Sequence, residues 1–162
     1  MGNPSITSPF EPGSVNKIVT ATAAIHYNVA KPTEVFQVPG QIQMDSVTVR
    51  DAWVHGVVPY TMTGIFGKSS NVGTLMIAQR VGKTRFAEML RKFGLGHTTG
   101  IELAGESAGV VPALRQWQGG SFANLPIGQG LSLTLLQMAS MYQTIANLSL
   151  IHISEPTRLG MI

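Results

Sequence analysis

The stretch Pro12-Gly13-Ser14-Val15-Asn16-Lys17-Ile18-Val19-Thr20-Ala21-Thr22-Ala23-Ala24-Ile25 decides how this chain is read. A serine is followed three residues later by a lysine, and an apolar, alanine-rich run begins directly behind them. Positions three apart on a helix bring their Cβ atoms to roughly 5–6 Å, so the lysine amine can reach the serine hydroxyl and take its proton. Pro12 suits a first helical turn, where its missing N–H is no loss, and Gly13 has no side chain to obstruct a substrate approaching Ser14. The Ser14 amide then falls among the unsatisfied first-turn donors, one half of an oxyanion hole. From Lys17 to Val29 the chain is apolar nearly all round, which predicts a buried central helix ended by Pro32. Burial bears on chemistry. A lysine ordinarily loses its proton at about 10.4 and serves as a base at neutral pH only where desolvation or neighbouring positive charge lowers that value.

Twelve serines and five lysines in 162 residues give roughly 0.4 such spacings by chance, so the tetrapeptide needs a companion. Ser69-Ser70-Asn71 supplies it, behind Gly64-Ile65-Phe66-Gly67 and directly ahead of the helical pattern Val72 to Val81. An asparagine there can hold a substrate amide while Ser69 relays a proton. Further landmarks are Phe10-Glu11-Pro12-Gly13-Ser14-Val15-Asn16-Lys17, Val49-Arg50-Asp51-Ala52-Trp53, Gly67-Lys68-Ser69-Ser70-Asn71-Val72-Gly73 and Leu125-Pro126-Ile127-Gly128-Gln129-Gly130. In this order and spacing the chain resembles the penicillin-binding transpeptidases, more narrowly the class B, division-type enzymes of actinobacteria, over most of residues 3 to 147.

The resemblance implies an α+β fold of the penicillin-binding transpeptidase and serine β-lactamase kind, with a helical lobe packed on a mostly antiparallel sheet. This chain would be a truncated domain, largely the helical lobe. Ser14 is then the residue acylated by a D-Ala-D-Ala stem peptide of peptidoglycan or by a β-lactam antibiotic, and Lys17 its base. Ser69 and Asn71 become relay and substrate-amide holder, while Gly13, Ser70, Gly128, Gln129 and Gly130 border the substrate. No cofactor is implied. The full-length parent would sit at the extracytoplasmic face of the cell membrane among divisome-type membrane proteins, with its anchor and a non-catalytic domain encoded upstream of Met1. The same motif set occurs in serine β-lactamases and in β-lactam sensor domains. A class A β-lactamase uses a glutamate in a Glu-x-x-Leu-Asn pattern; Glu102 and Glu106 lie outside such a pattern and read as solvated loop charges.

One family element is missing. A Lys-Ser/Thr-Gly strand should add a positive charge and an edge for the substrate peptide, and Lys83-Thr84-Arg85, the nearest text, lacks the glycine and reads as a solvated helix start. After Asn147 the text Leu148-Ser149-Leu150-Ile151-His152-Ile153-Ser154-Glu155-Pro156-Thr157-Arg158 departs abruptly from the family. It is similar, codon for codon, to a frame translation of a transposase-type sequencing adapter. Residues 1–147 are therefore read as a partial transpeptidase domain and 148–162 as a non-native tail.

The other segments read as follows. Val35 to Val49 carries β-like pieces broken by Pro39-Gly40 and Asp45, a small hairpin or irregular excursion. Helical turns follow at Met62 to Phe66, Val72 to Val81 closed by Gly82, and Thr84 to Phe93 closed by Gly94. Gly96 to Pro112 reads as a long loop, and Ser132 to Asn147 as a helix with Ser132 or Thr134 at its cap and Leu133, Leu135, Leu136, Met138, Met141, Tyr142 and Ile145 on its packed stripe. With 44% hydrophobic and 12% charged residues, the chain can bury a one-domain core. The net charge of +3 comes without a Lys/Arg cluster, which gives nucleic-acid binding no support. Cysteine is absent, which removes disulfides and thiolate chemistry. His26, His55 and His97 are scattered without zinc-ligand spacing, and Gly67-Lys68-Ser69 lacks the earlier glycine of a phosphate loop because position 62 is Met. Trp53 and Trp117 read as packing residues.

Overall fold

A computed structural model describes residues 2–118 and 120–147; the tail read as non-native, 148–162, lies outside the described residues. Helix α1, Pro4–Thr7, opens the chain with Asn3 capping it through the Ser5 amide. A 3-10 helix, Gly13–Asn16, leads into α2, Lys17–His26. The small residues of α2 explain its place: Val19, Thr20, Ala23 and Ala24 are buried, and they let α4 and α5 approach closely. The helix is not buried all round, since Ile25 is half exposed. Nor does Pro32 end it. Asn28 turns the chain in the left-handed region at φ 52°, and the Val29 amide donates to the Ala24 carbonyl at 2.9 Å. Asparagine tolerates that conformation, so the stop comes earlier than the proline.

The next segment forms two separate antiparallel ribbons. Strand β1, Val35–Val38, pairs with β4, Val58–Thr61, while β2, Gln41–Met44, pairs with β3, Val47–Arg50. The second ribbon is the anticipated hairpin, turning at Asp45 with φ 51°. Strand β4 escaped the sequence reading because Pro59 removes a ladder donor from it, which a two-stranded edge tolerates.

Three helices follow with caps legible in sequence. Thr61 caps α3, Met62–Gly67; α4, Asn71–Val81, stops at Gly82 with φ 82°; α5, Lys83–Lys92, is followed by Gly94 at φ 72°. Phe86, Met89 and Leu90 form the buried face of α5. Trp117 is buried, stacked on Phe122 at a centroid distance of 5.8 Å and edge-on to Phe86 at 6.1 Å. Trp53 is only half-buried and stacks on His55 in the loop after β3.

The loop from Gly96 to Pro112 is tied to the final helix by one buried side chain. Gln137 Nε2 donates to the carbonyls of His97 at 2.9 Å and Ala108 at 2.8 Å. Glu106 is no solvated charge: it accepts from the Thr99 amide and hydroxyl, each at 2.6 Å, and from the Gly100 amide at 3.3 Å. Burial pushes its carboxyl up, but these donors outweigh burial and hold it below the usual carboxylate range. Past α6, Ser121–Asn124, and a 3-10 helix at Leu125–Ile127, the chain ends in α7, Leu135–Ala146, capped by Thr134. Leu133 is buried ahead of that helix in a bridge to Phe10, whereas Leu135 and Tyr142 are exposed; Met138 and Met141 are buried as expected, Ile145 packs half-buried against the core, and the unanticipated Gln137 joins them. The architecture is α+β and helix-rich. Among the described residues no helix is long and apolar enough to cross a membrane.

Candidate active site

Ser14 lies in the 3-10 turn that precedes α2 and is exposed, whereas Lys17, one turn on, is 4% exposed. The turn is stitched to the segment 125–130 at three points. The Gly13 amide donates to the Gly128 carbonyl at 3.0 Å, Asn16 Nδ2 donates to the Leu125 carbonyl at 2.9 Å, and the Gly130 amide donates to Glu11 Oε1 at 2.9 Å. Gly13 adopts φ 55°, and a Cβ there would meet no atom within 4 Å, so backbone conformation is what requires glycine on this open side.

The lysine amine does not bond Ser14 directly. Its three donors go to the Ser69 carbonyl at 2.5 Å, Ser69 Oγ at 3.0 Å and Asn71 Oδ1 at 2.7 Å, and Ser69 Oγ in turn donates to Ser14 Oγ at 3.1 Å. The expected serine–lysine contact is therefore bridged by a residue 52 positions beyond the lysine. Two of the three acceptors, the carbonyl and the asparagine oxygen, have no proton to give. A neutral Lys17 can satisfy both with its two N–H groups only if its lone pair faces Ser69 Oγ. The contacts form a continuous path from Ser14 Oγ through Ser69 Oγ to Lys17 Nζ.

Desolvation lowers Lys17 to about 8, partly offset by the negative charge of Asp51, which raises it. At pH 7 that leaves about one molecule in ten with a neutral amine, against about one in three thousand at the ordinary value.

Asn71 is oriented from behind. Its Nδ2 donates to the Arg50 carbonyl at 3.0 Å, which turns Oδ1 towards the lysine. Ser69 holds φ 56°, the left-handed region, and thereby presents both its carbonyl and its hydroxyl to one amine. Ser70 does not border a substrate. It is fully buried, caps α4 by accepting from the Gly73 amide at 2.8 Å, and donates to Asp51 Oδ2 at 2.8 Å. Gly128 is likewise a support: it is buried, with φ 83°, and a Cβ there would overlap the Gly13 carbonyl. Gly130 spends its amide on Glu11, and Gln129 is exposed, with its amide bonded to the Asn124 carbonyl at 3.1 Å. Sequence reasoning assigned no role to Asn16, Arg50, Asp51 or His55; the quoted stretch Val49 to Trp53 was the signal for two of them. Among the described residues no group of three or more His, Asp or Glu could hold a metal ion.

Comparison with known proteins places this geometry. The family described as penicillin binding protein transpeptidase domain matches residues 1–157. The chain is similar to penicillin-binding protein PbpB of Mycolicibacterium smegmatis, with 72% identity over 147 residues, covering 91% of this chain and 23% of that protein. Peptidoglycan D,D-transpeptidase FtsI of Escherichia coli is 32% identical over 148 residues, covering 91% of this chain and 24% of that protein. Among solved structures, penicillin binding protein 3 of Mycobacterium tuberculosis complexed with ampicillin superposes with a TM-score of 0.89 at 69% identity, over 90% of this chain and 32% of that one. The chain thus spans about a quarter of the length of the relatives it matches. A serine–lysine turn, a Ser-x-Asn turn packed upon it and this likeness agree: the chain belongs to the penicillin-binding protein transpeptidase domain family.

Proposed function

We propose that this chain is a segment of a division-type peptidoglycan D,D-transpeptidase in which Ser14 is the nucleophile, Lys17 the base, Ser69 the relay and Asn71 the holder of the substrate amide. One observation carries the reading: the continuous path from Ser14 Oγ to Ser69 Oγ at 3.1 Å and on to Lys17 Nζ at 3.0 Å, ending on a desolvated amine. Ser14 Oγ attacks the carbonyl of the penultimate D-Ala of a stem peptide, and its proton passes through Ser69 to Lys17. Collapse of the tetrahedral intermediate breaks the peptide bond; the departing D-Ala amine takes the proton back along the same path, leaving an ester on Ser14. An amine of a neighbouring stem then attacks the ester and gives up a proton to Lys17; as the ester C–O bond breaks, Lys17 returns a proton through Ser69 to Ser14 Oγ and the hydroxyl is restored. A β-lactam ring opens by the same attack. The parent's setting at the extracytoplasmic membrane face, among divisome-type membrane proteins, belongs to this proposal. So does the division of the chain into a domain segment, 1–147, and a foreign tail, 148–162, which long-read resequencing across codon 147 tests.

The reading is tested in a chimera carrying residues 1–147 in place of the matching 147-residue segment of M. smegmatis PbpB. Fluorescent penicillin labels this protein, peptide mapping places the label on Ser14, and Ser14→Ala abolishes it; labelling elsewhere overturns the assignment. The 162-residue chain contains no Lys-Ser/Thr-Gly, and we expect intact mass spectrometry to find negligible penicilloylation of it alone. Stoichiometric labelling would show that the third motif is dispensable.

A further inference from the structure

The Ser69-Ser70-Asn71 turn is gripped from outside by the end of β3. Arg50 offers its carbonyl to Asn71 Nδ2 at 3.0 Å, and the next residue, Asp51, has a side chain with no exposed surface. Its carboxylate accepts from Ser70 Oγ at 3.0 and 2.8 Å, from the Val72 amide at 3.0 Å and from His55 Nε2 at 3.0 Å. A buried carboxylate with four such contacts is costly to place and costly to leave unpaired, so its partners are fixed by it. Ser70 and Val72 flank Asn71, and Ser70 follows the strained Ser69. The carboxylate therefore grips both neighbours of the residue that faces Lys17. His55 closes over it, with Nδ1 on the Gly56 carbonyl at 2.7 Å and its ring stacked on Trp53 at 5.5 Å.

We propose that Asp51 is a positioning residue of the transpeptidase reaction: it seats the Ser69–Asn71 turn against Lys17 and Ser14, and His55 and Trp53 lock it in place. Asp51 touches neither substrate nor reacting atoms. Its action is to keep Ser69 Oγ between Ser14 and Lys17 and Asn71 Oδ1 on the amine. The negative charge has a second effect, since it also opposes the desolvation that frees the lysine of its proton. Among the described residues, the titratable groups facing the carboxylate are His55, from the loop after β3, and Lys17, from α2; the Arg50 guanidinium is turned away onto Gln41 at 2.9 Å.

The inference rests on the transpeptidase reading and is tested in the same chimera with fluorescent penicillin. Asp51→Asn keeps the shape of the side chain but replaces one acceptor by a donor and removes the charge. The acylation rate at saturating penicillin is expected to fall about 100-fold, the scale of a 1 Å misplacement. The pH at which the residual rate reaches half its maximum is expected to move lower, because the charge that favoured a protonated Lys17 has gone. A purely structural loss would scale the rate without moving that midpoint. Asp51→Glu is expected to restore the midpoint and part of the rate. Should Asp51→Asn fail to fold, His55→Gln leaves the carboxylate and its bonds to Ser70 and Val72 in place but removes the ring over it, and about a tenfold loss is expected. An acylated chimera whose Asp51→Asn or His55→Gln variant keeps the parent's rate overturns this inference alone, as does an Asp51→Asn midpoint that stays put. A parent chimera that takes no penicillin overturns the transpeptidase reading and this one with it.

Discussion

Gly128→Ala isolates how Ser14, the proposed nucleophile, is held. The residue lies 114 positions after Ser14, yet its amide plane abuts the preceding glycine. A Cβ at 128 would overlap the Gly13 oxygen and stand 2.6 Å from its carbonyl carbon and 2.7 Å from its nitrogen. Carbon atoms pack at about 3.5 Å, so the Gly13 backbone must retreat by about 1 Å. Ser14 is the next residue and moves with it. A 1 Å error in a reacting group costs about 100-fold in rate, or roughly 2.7 kcal/mol of barrier. Alanine at φ 83° adds a left-handed penalty of about 1–2 kcal/mol to folding. Gly130→Ala is the matched control: its φ is 74°, so the backbone penalty is similar, but the nearest atom to its Cβ is Leu125 Cδ2 at 4.0 Å. The assay is the time course of penicillin acylation in the chimera, with melting temperature recorded for both variants. We expect Gly128→Ala to melt below Gly130→Ala, because its Cβ meets backbone rather than open space, and Gly128→Ala alone to lose the 100-fold in acylation by the folded protein. Acylation by Gly128→Ala within about threefold of Gly130→Ala would refute the claim that this glycine sets the position of Ser14.

Acylation should rise with pH as Lys17 loses its proton, passing half-maximum near about 8, and a profile flat from about pH 6 to about pH 9 would rule Lys17 out as the base. Lys17→Arg keeps the charge but cannot release a proton at these pH values, and its acylation rate is expected to fall at least about 1000-fold, measured by the same label. Trp117→Ala removes the buried centre of the Phe86, Trp117 and Phe122 cluster together with the indole bond to the Pro112 carbonyl at 2.9 Å. Its cost is expected at about 3–5 kcal/mol by denaturant unfolding, and a loss under about 1 kcal/mol would mean that the aromatic contacts are not load-carrying.

What was legible in the sequence is local. Glycines stop α4 and α5 where the pattern ends because they can enter positive φ, and Thr134 caps α7 through the Gln137 amide three residues on. Ser14 and Lys17 were legible as a pair because one helical turn joins them. The link between them was legible as a relay role for Ser69 but not as a geometry. It comes from Ser69, and nothing in the spacing of 55 residues says that its hydroxyl would stand between serine and lysine. The close approach of Gly128 to Gly13 is not legible, since contact between two backbones leaves no pattern of residue types. Ser70 carries a readable signal: a serine ahead of Asn71-Val72-Gly73 at a helix start is a capping residue first. The role of Asp51 is not legible because, His55 apart, its partners Ser70 and Val72 lie 19 and 21 residues away, at the start of α4.

Ser69 shows why the site accepts strain. To bring its carbonyl and its hydroxyl to one lysine, the residue must curl back into φ 56°, which costs a side chain with a Cβ about 1–2 kcal/mol. Glycine would relieve that cost but has no hydroxyl, and asparagine, which tolerates the conformation, has no hydroxyl proton to relay. Serine is the small residue that satisfies the chemistry, and the penalty is borne by its neighbours, with Ser70 and Val72 anchored on Asp51. Ser69→Gly and Ser69→Ala separate the two terms. Both delete the relay and should slow acylation by about 100-fold or more. Only alanine keeps the backbone penalty, so the glycine variant should be the more stable by about 1 kcal/mol, even after allowing for the greater entropy of its unfolded chain. The measurement is the difference in unfolding free energy between the two variants. An alanine variant as stable as the glycine one would mean that this turn carries no left-handed strain, and the account of why a serine stands there would fall with it.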